Sequence, residues 1–251
     1  MQRNSRGFRI GFVTKVFGLA IAGVLLAIGV MTWTTLSYIE RDIEENARKQ
    51  LDLAINLELA LIDQHLARVQ ALAAMVAENQ QIRDDLQQGE FATIASALRR
   101  FKQAVPDTHI LTLVDRSGTA VARANSDQTG QTLRINGLVD LALGGSYTSS
   151  PEIIPLAEWE PEGEEIRRRV TIPVKATEGS EERREQEVTN ALALVGVAPV
   201  KDSSGQIIGA VVAAEILNQN YTIVDEVRQR TGGLVSATIA MDGIRVTTVE
   251  G

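Results

Sequence analysis

An uncharged apolar run is the strongest pattern near the N-terminus. Residues 16–38 form 23 consecutive positions without a charged side chain, about the length that a helix needs to cross roughly 30 Å of hydrocarbon. Trp33 and Tyr38 lie toward its end, where aromatic rings favour the membrane interface. We predict a transmembrane helix over residues 16–38. A cleaved signal peptide is the alternative, and the lack of a small-residue cleavage pattern after the run argues against it.

The charges on the two sides of this run differ. Residues 1–15 carry four basic side chains and no acidic one, whereas the chain from residue 40 onward carries 21 basic and 32 acidic side chains. Basic segments stay on the cytoplasmic side of a membrane. Residues 1–15 are therefore expected to be a cytoplasmic tail of a single-pass inner-membrane protein, with the rest in the periplasm or outside the cell.

Helical spacing continues over residues 39–105. No proline occurs before Pro106, and the first glycine after the apolar run is Gly89, so the membrane helix is expected to continue as a long amphipathic helix. A second helix is predicted after Gly89. Apolar residues of the long helix alternate in steps of four and three, as in a helix with one buried seam. They are Ile55, Leu59, Ile62, Leu66, Val69, Ala73 and Val76.

This seam has two possible partners. It packs on the sheet of its own domain alone, or it also meets a second copy of the chain, and we expect a homodimer. The long helix outreaches an ordinary domain, because some 40 helical residues extend about 60 Å. In either case it connects the domain mechanically to the membrane.

Short β-rich runs separated by turns follow residue 106. Two hairpins are indicated, with turns at 115–118 and 201–205, and further strands are predicted over 147–154 and in RRRVTIPVKAT. We predict an α+β domain over residues 106–217, with five or six antiparallel strands and the long helix on one face. In the central strands apolar residues occupy both the odd and the even positions, which point to opposite faces of the sheet. We therefore expect both faces of the sheet to be covered.

A charged region interrupts these strands at residues 158–187, with ten acidic and six basic side chains. Its outer blocks, EPEGEE and EGSEERREQE, are expected to be solvated loops. Arg168 lies between these blocks, in a predicted strand where alternate residues point to the same face. Because the residues at alternate positions after it are apolar, we expect it to point toward an apolar face, where a charge needs a partner. That partner is either a ligand or one of the acids Glu152 and Glu215.

Composition excludes several functions. A net charge near −11 from residue 40 onward disfavours a nucleic-acid partner. The chain has no cysteine, which excludes disulfides and thiolate sites, and it lacks the phosphate-binding, metalloprotease and hydrolase motifs. His65 and His109 are interpreted as structural. We expect no catalytic residue, no metal and no cofactor, and any catalytic output domain would lie beyond Gly251.

The order of a membrane helix, a long helix and a sheet containing VDRSGTAVARANSDQTGQTL resembles the Cache domains of bacterial receptors. These are extracytoplasmic, PAS-like sensor modules of chemoreceptors, sensor histidine kinases and nucleotide cyclases. The likeness covers roughly residues 40–249. The matching elements are the turn at 115–118, Arg123, Gly130 before a short helix, the stretch at 142–145, and the strand pair around Gly205 and Gly209.

The tail, residues 218–251, is similar to the opening of the second module in double Cache sensors. There a helix follows the first sheet and leads into a hairpin, and Asp242 and Gly243 make a good hairpin turn here. A two-stranded hairpin has no independent core. We therefore expect the tail to begin a second module, the alternative being that the hairpin packs on the single domain.

Polar and aromatic residues among the strands and the loops that cross the sheet face are the candidates for contact with a ligand. Arg123 matches an arginine that recurs in similar modules and is predicted to pair with a carboxylate; a salt bridge to the domain's own acids is the alternative. Tyr147 and Trp159 are predicted to wall the pocket, unless they serve only the core or a loop. Arg168 and Glu215 complete the predicted set, and the ligand is expected to be a small, anionic molecule.

These expectations favour extracytoplasmic sensing by a membrane-anchored receptor, in which ligand binding displaces the long helix. The amino-acid-binding pattern of double Cache receptors is not clearly reproduced. A membrane-anchored structural or interaction protein of the cell envelope is the main alternative, and it predicts no enclosed pocket. An anchored enzyme is the third possibility.

Overall fold

The computed structural model describes residues 11–174, 187–233, 235 and 237–248. Contacts divide the chain into two compact units, Met1–Leu53 and Ala54–Gly251. Helix α1 spans Phe12–Ala77. Within the first unit its large apolar side chains are exposed, with Leu19 at 80% and Trp33 at 72%, as suits a helix that lipid surrounds. Among the described residues, α1 alone is long and apolar enough to cross a membrane.

In the second unit, α1 is followed by α2, Gln80–Gln88, and α3, Phe91–Ala104. Asn79 caps α2 by accepting a hydrogen bond from the Ile82 amide at 3.1 Å, and Gly89 ends α2 with a φ of 75°, a conformation that glycine adopts without strain. The helix predicted after Gly89 is thus present.

The apolar seam predicted along α1 is only partly buried. Its later members, such as Val69 and Val76, are buried, but Ile55 and Leu59 are 46% and 54% exposed. In the same stretch of α1, Ala54 and Leu61 are buried instead. The buried face of α1 is therefore rotated from the predicted one. This is possible because apolar residues in this stretch of α1 occupy more of the helix surface than a single seam.

An antiparallel sheet of five strands forms the centre of the second unit, which confirms the predicted α+β class. Its order is β2-β1-β7-β6-β3. The strands are β1, Ile110–Asp115; β2, Ala120–Arg123; β3, Thr148–Ile154; β6, Ala191–Lys201; and β7, Ile207–Ile216. β6 and β7 are the long central pair and are buried along most of their length.

Both faces of the sheet are covered, as the apolar residues at both parities predict. Helices α1, α2 and α3 cover one face, which we call the long-helix face; Leu111 and Val211 point to it. Shorter segments cover the opposite face, which we call the short-helix face; Val114 and Val212 point to it. The backbone of α1 lies directly on β6, since a Cβ added at Gly196 would stand 2.5 Å from the Gln70 nitrogen.

The cover of the short-helix face consists of three short helices and two 3-10 turns. They are Ile135–Gly137 (3-10), α4 at Leu138–Leu143, α5 at Leu156–Trp159, Glu160–Glu162 (3-10) and α6 at Glu164–Val170. The strand predicted in RRRVTIPVKAT is wrong at its start, where the three arginines belong to α6. Strand β4, Ile172–Pro173, pairs only with β5, Glu187–Val188. Most of the second acidic block, residues 178–186, lies outside the described residues.

The C-terminal part contains α7, Thr222–Arg230, and the predicted hairpin of β8, Thr238–Met241, and β9, Ile244–Thr248. A third apolar cluster joins these elements to the rest of the unit through Leu217, Val224 and Val246, together with Ala54 and Leu61 of α1. The hairpin therefore packs on the domain, and its role as the start of a second module stays a prediction.

Candidate ligand site on the short-helix face

Arg123 ends β2, and its side chain is fully buried. Its Nη1 donates to Glu162 Oε1, and its Nε donates to the carbonyl oxygen of Gln128 at 3.1 Å. Its Nη2 has no hydrogen-bond partner among the residues that the structure describes. The alternative foreseen for Arg123, a salt bridge to one of the domain's own acids, is what the structure contains. One nitrogen of the guanidinium, with its two N–H groups, is thus left over in this part of the structure.

Glu162 is the acid that Arg123 binds, and it is 1% exposed. Its Oε1 also accepts from the Thr112 hydroxyl at 2.7 Å, and its Oε2 accepts from Asn125 Nδ2 at 2.9 Å. Three donors from β1, β2 and the following loop thus converge on one carboxylate. We call Thr112, Arg123 and Asn125 the carboxylate cradle. A buried carboxylate with this many donors has its lost hydration replaced.

The position of Glu162 follows from the local chain. Trp159, just before it, is 1% exposed and donates from Nε1 to the Thr189 carbonyl oxygen at 3.0 Å. The Pro161 carbonyl oxygen accepts from the Ser126 hydroxyl at 2.5 Å. Gly163 then turns the chain into α6 with a φ of 101°, a conformation that favours glycine. Apolar burial and a polar anchor together hold the 3-10 turn against the sheet.

A small cavity lies beside this ion pair. Its volume is about 10 Å³, room for about one water molecule. Trp159 and Glu162 lie on its wall, as do Ile110, Leu133, Ile135, Ile154, Glu158, Val212 and Ala214. The structure therefore brings Arg123 and Trp159 of the predicted set close to one place, because Glu162, the partner of Arg123, lines the same cavity as Trp159.

Tyr147 is not part of this place. It is 39% exposed, and Lys201 Nζ lies 5.8 Å from the centre of its ring. It precedes β3, whereas Arg123 ends β2, and these strands form the two edges of the sheet. Four strand spacings, about 19 Å, separate those edges.

Arg168 and Glu215 also lie elsewhere. Arg168 is exposed on α6, where its carbonyl oxygen accepts from Gln219 Nε2 at 3.2 Å. The strand parity that aimed it at an apolar face does not apply in a helix. Glu215 is fully buried on the long-helix side of β7, where its Oε2 bonds His65 Nδ1 at 2.7 Å and its Oε1 accepts from Asn220 at 3.0 Å.

Neither acid suggested as a partner for Arg168 binds it. Glu215 is occupied as just described, and Glu152 Oε2 accepts from Asn136 Nδ2 at 2.6 Å. A role of Arg168 in ligand binding stays a prediction, and neither the exposure of Arg168 nor the partners of these two acids supports it.

Glu162 was missed because it lies in the block EPEGEE, which was interpreted as a solvated loop. That interpretation is wrong for Glu162, although Glu160 and Glu164 are exposed as expected. A usable signal was present: Trp159 and Pro161 interrupt the acidic run with two residues that favour burial or a fixed backbone.

His109, at the start of β1, was interpreted as structural. Its Nδ1 accepts a hydrogen bond from the Ile216 amide at 2.9 Å. Burial, followed by the positive charges of Arg169 and Lys102, lowers the pKa of His109 to about 3. A neutral imidazole is what this acceptor role requires.

Three solved structures are similar to this chain. The periplasmic domain of LuxQ from Vibrio cholerae matches with a TM-score of 0.52 at 11% identity, over 78% of this chain and 77% of that domain, and a second LuxQ crystal structure matches with a TM-score of 0.51 over 79% and 77%. The sensor domain of DcuS from E. coli is 16% identical over 68% of this chain and 97% of that domain, with a TM-score of 0.44.

No protein-family model matches the chain, and no curated protein matches its sequence significantly. The fold shared with the LuxQ periplasmic domain agrees with the PAS-like fold indicated by the sequence. At this level of identity the likeness concerns the fold alone.

Proposed function

We propose that this chain senses a small molecule outside the cytoplasm as part of a single-pass, membrane-anchored signal-transduction receptor. The observation that carries the proposal is the combination of a sensor-type fold with α1, whose bounds, Phe12–Ala77, include both the uncharged run 16–38 and residues buried against the sheet. A chemoreceptor, a histidine kinase and a nucleotide cyclase are all compatible outputs.

The proposed ligand site is the short-helix face around Arg123 and Trp159. Support comes from the buried guanidinium with an unused Nη2 and from the cavity beside it. A buried charge of this kind is costly unless it is paired, so an acceptor on a ligand would be a favourable partner for the unused Nη2. Binding there would move the cover that consists of α5, the 3-10 turn and α6.

A homodimer along α1 is part of the proposal. Ile55 and Leu59 remain 46% and 54% exposed in the second unit, although they belong to the heptad-like series. Apolar side chains at this spacing are the usual contacts between two helices.

The first experiment tests membrane topology. Because the chain has no cysteine, one introduced thiol is a unique label. In intact spheroplasts, D127C should react with a membrane-impermeant maleimide, since the Asp127 side chain is 91% exposed, whereas N4C in the basic tail should react only after lysis. Protection of D127C in intact spheroplasts would contradict the proposed orientation.

The second experiment is a thermal-shift screen of the full chain in detergent against small acids, amines and sugars. A ligand that binds only the folded state raises Tm, and W159A should abolish the shift if the ligand lies at the short-helix face. Failure of every compound would favour the alternative, an envelope interaction protein. The small volume of the cavity, about 10 Å³, favours that alternative, because an interaction protein is expected to have no enclosed pocket.

A further inference from the structure

The cradle of Thr112, Arg123 and Asn125 has the composition of a receptor for a free carboxylate. A guanidinium, a hydroxyl and an amide all donate toward one point, and each belongs to the sheet or to the loop that leaves it. Guanidinium and carboxylate groups pair best through two parallel hydrogen bonds. Here one carboxylate oxygen faces Nη1, and Nη2 has no partner among the described residues.

Glu162 differs from the cradle in its attachment. It belongs to the cover, on a 3-10 turn of three residues, Glu160–Glu162. Among the residues that the structure describes, the direct polar anchors between this turn and the sheet side are the contacts of the Glu162 carboxylate itself and the bond between Ser126 and the Pro161 carbonyl oxygen. Glu162 can thus leave the cradle only when this turn moves together with the buried Trp159 before it, whereas the three donors belong to the sheet and to the loop after β2.

We propose that the cradle binds a carboxylate group of the sensed molecule, and that Glu162 is a built-in competitor which this carboxylate must displace. The inference rests on the proposed sensing function and specifies its ligand class and its resting state. Displacement frees the 3-10 turn and Trp159 beside it, which opens space next to a cavity that otherwise holds about one water. Ligand binding and opening of the cover are then one event.

Acetate is the probe that fits this idea most closely. The substitution E162A removes one CH2 and one carboxylate, which are the atoms of acetate, and leaves the three donors without their acceptor. In the W33F background Trp159 is the single tryptophan, because the chain has two. Full-length W33F/E162A in detergent is titrated with potassium acetate against potassium chloride, and both Tm and Trp159 emission are followed.

The expected result is specific stabilisation by acetate. The half-saturating concentration should be at least about tenfold lower for E162A than for the chain that retains Glu162, because the tethered acid no longer competes. At about tenfold above half-saturation, Tm should rise by about 3 °C. E162Q keeps the volume of the side chain and is expected to fold even where E162A does not; its weaker amide acceptor should give an intermediate response.

Two controls locate the effect. E160A removes a half-exposed carboxylate from the same turn, one that pairs with Arg167, and acetate should not stabilise it beyond chloride. R123M/E162A removes the cradle's charge, and acetate should change neither its Tm nor its Trp159 emission.

Equal acetate responses of E162A, E162Q and the Glu162 chain, or a response that survives R123M, would overturn the inference. That outcome leaves the sensing function intact if other compounds in the thermal-shift screen bind in a manner that W159A abolishes. Conversely, rescue by acetate together with protection of D127C from external maleimide would keep the carboxylate site and refute the extracytoplasmic receptor.

Discussion

The two faces of the sheet are built differently. On the long-helix face the backbone of α1 touches β6 at Gly196, and His65 of α1 bonds the buried Glu215 of β7. The short-helix face holds a fully buried ion pair, further polar contacts and a small cavity. Tight apolar packing tolerates little change in volume, whereas a polar contact can exchange one partner for another. Both faces hold buried polar groups, and the difference between them is the close backbone contact at Gly196 on one face and, on the other, the Nη2 of Arg123, unpaired among the described residues, beside a small cavity.

The largest expected effect comes from removing one partner of the ion pair. R123M leaves Glu162 buried without its cation, which should lower the free energy of unfolding by about 3–5 kcal/mol. The measurement is thermal unfolding of the full chain in detergent. R123M/E162M, which replaces the ion pair by two apolar side chains, should recover most of the loss. If the double variant is as unstable as R123M, the ion pair is not the feature that distinguishes the faces.

On the long-helix face, G196A should cost about 1–3 kcal/mol. The added Cβ would stand 2.5 Å from the Gln70 nitrogen, and backbone on both sides cannot yield. G144A, where the nearest atom lies at 3.3 Å on the other side of the domain, is the matched control and should be milder. An unchanged Tm for G196A would show that α1 is not held as closely as described.

Acid should weaken the domain through His109. Its pKa is about 3 in the folded protein against 6.5 as the reference value, so the unfolded chain binds the proton first as the pH falls. Stability is complete above pH 6.5 and declines toward pH 3, by at most about 1.4 kcal/mol per pH unit. H109N keeps an acceptor for the Ile216 amide and does not titrate, so its Tm should fall less steeply. If the Tm of H109N and the Tm of the unchanged protein fell in parallel between pH 7 and 4, His109 would not be the cause of the loss of stability.

The smallest effect is expected for E160Q. Glu160 and Arg167 form an ion pair with both side chains about half exposed, and such pairs contribute about 0–1 kcal/mol. E162Q, two residues away, should cost several times more in the same unfolding assay. If E160Q and E162Q lowered the free energy of unfolding by similar amounts, the greater burial of Glu162 would not make it more important for stability than Glu160.

Much of the fold followed from local pattern. Alternation, turns and doubly apolar strands predicted the hairpins, the antiparallel sheet and its two covers, since these depend on residues close in sequence. The offset of the buried face along α1 was missed because Ile55 and Ala54 are both apolar. Only the position of the sheet decides which of them it covers.

The candidate site was less accessible. Arg123 and Trp159 were identified, but Glu162 approaches Arg123 across 39 residues, and no local pattern encodes that pairing. The strand assigned around Arg168 failed for a related reason: three consecutive arginines carry no periodicity, so the flanking apolar residues fitted a strand as well as a helix. Tertiary contacts settled both positions.

Gly196 also limits how the long helix can move. The main chain of α1 rests in a notch that this glycine opens in β6, and the side chains of Leu194 and Ala198 stand on either side of it along the same face. A shift of α1 along β6 would bring its main chain against one of these side chains, so the packing at Gly196 opposes that displacement.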